Sequence, residues 1–126
     1  MLDHLRQKAM RTLGSTEQVL LASFGPADIQ TGSVACQAQE LTLYVFIPLN
    51  SEHLLNLEHR TGVAVDAGAW SLKGHAYLLP DHDVPPGVRG ALETAAGVPG
   101  RFAAIHPTRL TLHAASGEGN TETIDF

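Results

Sequence analysis

The sequence predicts an α+β fold in which an antiparallel sheet curls into a barrel. Three observations lead there: five to seven segments read as strands, only short stretches read as helices, and the links between successive strands suit antiparallel neighbours. Barrel closure is expected because it removes the exposed strand edges that an open sheet would leave. At 126 residues, with 44% apolar and 17% charged side chains, the chain has the size and composition of one globular domain spanning residues 1–126.

Each element has its own signal. Leu2, Leu5, Ala9 and Leu13 recur at helical spacing, Asp3 stands near the positive end of the helix dipole and Gly14 follows, so an amphipathic helix opens the chain. The β-rich run from Gln18 to Phe24 stops at Gly25 and Pro26, which marks a buried strand and a turn. The next strand, about Ile29 to Gln37, is poor in large side chains. Its Thr31, Gly32 and Ser33 either leave room for a group against the backbone or mark a bulge. A polar turn over 38–40 leads to Leu41–Ile47, the most strand-like segment, and Pro48, without an amide proton, ends its ladder.

Ser51 then caps a helix over Glu52–His59, with Leu54, Leu55 and Leu57 as its apolar side and Gly62 closing it. Gly62–Ala67 and Trp70–Leu79, joined by a short Gly-containing link, form an antiparallel pair. Asp81–Pro86 suits a surface loop, and Val88–Ala96 a third helix ending at Gly97. The last long run, Phe102–Ala114, is interrupted by His106-Pro107, which suits an edge or a bend more than a central strand. Ala115–Asn120 reads as a turn, and Thr121–Phe126 as a returning short strand.

A formal net charge of -5 sets the general field against nucleic-acid backbones and anionic membranes, so neither is an expected partner. No apolar run approaches the length of a membrane span, and the charged residues scattered through residues 1–13 do not make a secretory leader, so the cytoplasm is the expected location. The single cysteine, Cys36, lies in an apolar run and reads as an inert buried thiol.

Seven histidines raise the question of metal or haem, but their spacing gives no zinc set: His53 and His59 do not share a helix face, and His82 sits in a loop between two aspartates. No nucleophile elbow accompanies the serines and histidines, and Gly97–Gly100 lacks the length and lysine of a phosphate-binding loop. No metal site and no hydrolytic triad are expected.

The stretch Leu41–Leu57, with Val63-Ala64-Val65, Leu72–Ala76 and Ile105–Leu110 behind it, resembles the pyridoxamine 5'-phosphate oxidase-like family of flavin-binding split barrels. The motifs cover most of Glu17–Leu112, and their order and spacing carry the resemblance. It implies a six-stranded antiparallel split β-barrel with short flanking helices, a homodimer, and flavin mononucleotide (FMN) in a cleft at the subunit interface. It further implies a phosphate grip at the helix after the third strand, by Ser51 and His53. Histidine stands where the family commonly has Lys or Arg, and imidazole is only partly protonated near neutrality, so a weaker phosphate site is expected.

The remaining cofactor-binding candidates are Thr31 and Ser33 on one strand face, Ser71 and Lys73 on another, and Trp70, which could cover a planar ligand or belong to the core. No residue declares itself a catalytic acid or base. Two functions follow: a flavin-dependent oxidoreductase acting on a small molecule, or a non-enzymatic ligand-binding or interaction module on the same barrel. Deazaflavin would occupy a similar cleft.

Overall fold

In the computed structural model, which describes residues 2–113 and 121–126, three helices surround seven strands. In chain order these are α1 (Leu2–Gly14), β1 (Gln18–Ser23), β2 (Gln30–Gln39), β3 (Thr42–Pro48), α2 (His53–His59), β4 (Gly62–Asp66), β5 (Trp70–Leu79), α3 (Pro86–Ala96), β6 (Gly100–Leu112) and β7 (Glu122–Asp125). All pairings are antiparallel, in the order β3-β2-β1-β4-β5-β6, and β3 pairs again with β6 to close a six-stranded barrel. The predicted α+β barrel is therefore present, with β7 added to the outside edge of β6.

The barrel exists because its strands alternate. Val19 and Leu21, Val63 and Val65, and Trp70, Leu72 and Ala76 point inward and are buried, while the residues between them face out. Ala9 and Leu13 of α1 and Leu57 of α2 join the same core. A second apolar cluster lies outside the barrel wall, where Val88 and Leu92 of α3 cover Ala35, Phe46 and Phe102. The two phenyl rings meet edge to face, 5.1 Å apart. The outer face is thus divided: α3 covers β2 around Ala35, β3 and the first half of β6, whereas among the described residues the start of β2, β1, β4, β5 and the second half of β6 remain open.

Several expectations are corrected. The strand expected to bend at His106-Pro107 is continuous and central, pairing with β5 along its length. It tolerates proline because its other edge changes partner there: β3 pairs up to Ile105 and β7 begins at Arg109, so Pro107 falls in the gap. A register shift between Lys73 and Gly74 absorbs the irregularity on the β5 side. A Cβ on Gly74 would collide with the His106 carbonyl, so the close approach of the two strands requires glycine.

β2 runs on to Gln39, and the turn tightens onto Glu40 at φ 54°. Helix α2 ends not at a glycine but at Arg60 in extended conformation, and Gly62 instead begins β4. Leu55, expected on the apolar side of α2, is exposed. Helix α3 does end as expected, on Gly97 in the left-handed region at φ 66°. The loop after β5 contains a single 3₁₀ turn, Asp81–Asp83. The turn expected over Ala115–Asn120, with Ala114 of the last strand run, lies outside the described residues. Among the described residues no helix is long and apolar enough to cross a membrane.

Candidate functional site

Ladder register sorts the candidate residues before any side chain is considered. On the open outer face two rows of residues cross the sheet from β2 to β7. One runs Thr31, Ala22, Ala64, Lys73, Arg109, Asp125; the other runs Ser33, Leu20, Asp66, Ser71, Thr111, Thr123. Four of the sequence-predicted residues, Thr31, Ser33, Ser71 and Lys73, therefore share one face. They stand at its two ends, with three strand spacings of about 4.8 Å, or roughly 14 Å, between Thr31 and Lys73.

A groove of about 390 Å³ lies over β1, β4, β5 and β6; Ser71 and Lys73 line it, whereas Thr31 and Ser33 stand outside it on β2. Its floor is shallow because Ala22 and Ala64 put only methyl groups outward, and Leu20, 45% exposed, forms an apolar wall. Ser71, Lys73, Arg109, Thr111 and His113 supply polar groups on the β5 and β6 side, and Asp66 of β4 stands opposite Ser71. A second depression of about 350 Å³, lined by Phe24, Gly62 and Thr108, adjoins it, and Ala64 and Lys73 border both. Lys73 is exposed and, among the described residues, makes no ion pair. Arg109 beside it is held by Asp125, with Nε donating to Oδ1 at 2.6 Å and Nη2 to Oδ2 at 3.4 Å; this pairing raises the arginine's pKa.

The other candidates lie elsewhere. Trp70 is sealed in the core, 1% exposed, and its indole Nε1 donates to the Thr16 hydroxyl at 3.0 Å. Ser51 Oγ accepts the His53 amide at 3.2 Å, but α2 begins one residue later than expected, with Glu52 at its N-cap position and no side-chain cap, so Ser51 stands just outside the helix. The His53 side chain is turned inward and buried. Its Nδ1 lies 2.5 Å from the Ser23 hydroxyl. Asn56 Nδ2 donates to the same Ser23 oxygen at 3.2 Å and to the Asp28 carbonyl at 2.9 Å, while Asn56 Oδ1 accepts the Ala27 amide at 2.9 Å.

Because Ser23 receives a bond from Asn56, its own proton is available to His53 Nδ1, and the hydrogen-bond pattern then places the ring proton on Nε2. That edge of the ring lies against Gly32, 3.8 Å from where a Cβ would stand. The space read from the small residues of β2 is therefore filled, at Gly32, by the protein's own histidine. Burial lowers the His53 pKa, so the imidazole is neutral at neutral pH and offers no charge to an anion.

No protein-family model matches the chain, and no curated protein matches it in sequence. Its three-dimensional architecture does have counterparts. A candidate pyridoxamine 5'-phosphate oxidase from Listeria innocua superposes with a TM-score of 0.71 at 15% identity, over 88% of this chain and 99% of that one. A FAD-binding protein from Mesorhizobium loti gives 0.64 at 15% identity, over 82% and 88% of the two chains. A heme-binding protein from Mycobacterium smegmatis gives 0.70 at 16% identity, over 95% of this chain but 56% of its own.

The fold is the pyridoxamine 5'-phosphate oxidase-like split barrel.

Within this split barrel, sequence reasoning found Ser71 and Lys73 of the groove but missed its floor and the rest of its walls: Leu20, Ala22, Ala64, Asp66, Arg109, Thr111 and His113. The signal was available in part. Once Val19, Leu21, Val63 and Val65 are assigned inward, the two-residue period sends Leu20, Ala22, Ala64 and Asp66 outward. Ser23 and Asn56 were also missed. A polar Asn between Leu55 and Leu57 hinted at the second, but its partners lie on a different element, beyond local pattern.

Proposed function

We propose that this split barrel binds a flavin, FMN first among them, in the outer groove of β1, β4, β5 and β6, and works as a flavin-dependent oxidoreductase on a small molecule. The carrying observation is the groove itself: a volume within the range of small-molecule sites, a flat floor of alanines, and the Lys73 ammonium on its border. Methyl groups on the floor let a planar ring approach the sheet, while Leu20 supplies apolar contact along one side. Lys73, with the Ser71 and Thr111 hydroxyls near it, suits a phosphate, because an ammonium and hydroxyls all donate to anionic oxygen.

When bound, the flavin would carry the redox chemistry; the chain's part is to hold and orient it and to keep solvent from one face of the ring. An open groove shields only one side, which supports a homodimer in which a second copy covers the other. Cys36 takes no part in this scheme, since burial and nearby Glu17 push its thiol up to about 12. A single buried thiol also suits action in the cytoplasm.

One observation favours a second reading, a split-barrel module that works without a cofactor. The grip implied for Ser51 and His53 has no cation to offer, because His53 is neutral and engaged by Ser23. The visible spectrum of the purified protein, before and after FMN addition and gel filtration, separates the two. A retained flavin band supports the oxidoreductase, and a colourless protein supports the module. The same spectrum distinguishes flavin from the Soret band of a haem, the ligand of the Mycobacterium smegmatis neighbour.

A further inference from the structure

Two ion pairs tie β7 to the rest of the molecule, and they differ in what stands beside them. Lys8 of α1 meets Glu122 at 2.5 Å. Arg109 of β6 meets Asp125 at 2.6 Å, and this Arg109 lines the groove directly opposite Lys73 in the β5–β6 ladder. Two cations on neighbouring strands, with Cβ atoms about 5 Å apart, are placed to clamp a single anionic group. One of them is already occupied: both nitrogens of the guanidinium edge face the Asp125 carboxylate.

We infer that Asp125 is a specificity-determining residue that competes, from within the chain, with the anionic end of a ligand in the groove. The inference rests on the flavin reading proposed above. Around the groove the positive charges of Lys73 and Arg109 are matched by the negative charges of Asp66 and Asp125. Asp66 is itself held in place, since its Oδ1 accepts the Gly68 amide at 2.9 Å. A phosphate entering this field meets the Ser71 and Thr111 hydroxyls and the His113 ring, but gains Lys73 as its one permanent cation unless it displaces Asp125 from Arg109. An uncharged ligand with the same ring meets no such competition. The groove as built therefore favours anionic over neutral flavins only weakly, and removing the Asp125 charge releases the arginine fork for the phosphate.

The test compares FMN with riboflavin, which has the same ring and no phosphate, by quenching of flavin fluorescence in the full chain at low salt. Asp125→Asn tightens FMN binding by about fivefold, the upper end for one exposed charge contact, and leaves riboflavin unchanged. The gain disappears at about 0.5 M NaCl, where exposed charges are screened. Glu122→Gln, which removes the other β7 ion pair and does not line the groove, leaves the FMN-to-riboflavin ratio as it was. An unchanged ratio in Asp125→Asn with FMN still bound overturns the inference alone, as does an equal shift in Glu122→Gln. Failure of every variant to bind either flavin overturns the flavin reading together with this one.

Discussion

The open groove and the inner end of α2 are built from similar residue types and use them in opposite ways. At α2, Ser23, His53 and Asn56 are buried, satisfy one another and hold the segment between β1 and β2. On the outer face, Ser71, Lys73 and Thr111 project from a finished sheet, and among the described residues their side chains make no hydrogen bond to another element. Polar residues in the first place are committed to the fold; in the second they are available to a ligand. A serine and a histidine near a helix start therefore look like a phosphate site in sequence and act here as internal structure.

The largest effect expected of this contrast is on stability. Asn56→Ala leaves the Ala27 amide and the Asp28 carbonyl without their partner and removes the bond to Ser23, a loss of about 3 kcal/mol. Asp28 is held at φ 62°, in the left-handed region, so the loop has added reason to rearrange. Thermal denaturation followed by circular dichroism should show the melting temperature falling by roughly 10 °C. A variant that melts with the wild type would mean that the cluster does not hold the loop.

Lys73→Gln sharpens the comparison from the other side. The melting temperature stays put, as for most exposed positions, and FMN affinity falls by about fivefold, the upper end for one exposed charge contact. Titration of both proteins with FMN and riboflavin reads this directly, since riboflavin should bind the two alike. Equal loss of both flavins would place the lysine against the ring instead of the phosphate.

A smaller effect concerns pH. His53 is neutral in the folded protein with its pKa below the ordinary 6.5, so over the interval between those two values the unfolded chain binds more protons than the folded one. Stability therefore falls as pH drops from 6.5 toward the folded-state value, and levels off below it. Urea unfolding at pH 7.5 and at about pH 5 should show this loss in the wild type, and a shallower dependence in His53→Gln. An equal pH dependence in both would remove His53 as its source.

Much of the barrel was legible because alternation and turn residues report local geometry: the order of helices and strands follows the sequence patterns closely. What patterns could not report was partnership. Pro107 argued against a central strand, and only the change of partner on one edge of β6, from β3 to β7, shows why it is tolerated. Trp70 was open to ligand or core, and the decision rests with Thr16, on the chain segment between α1 and β1. Thr31 with Ser33, and Ser71 with Lys73, were found as two separate pairs each sharing a strand face, but that all four share one face follows from β1 and β4 lying between them. The inward turn of His53 depends on Ser23 and Gly32, residues distant in sequence.

The central claim is that the groove over Ala22 and Ala64, and not the start of α2, receives the flavin. Ala64→Trp fills the groove from its floor without touching the barrel core, because Ala64 points outward between β1 and β5. FMN retention after gel filtration should be clear in the wild type and abolished in Ala64→Trp, with the melting temperature of the apoprotein little changed. Full retention of FMN by a folded Ala64→Trp protein would contradict the account and move the site elsewhere on the barrel.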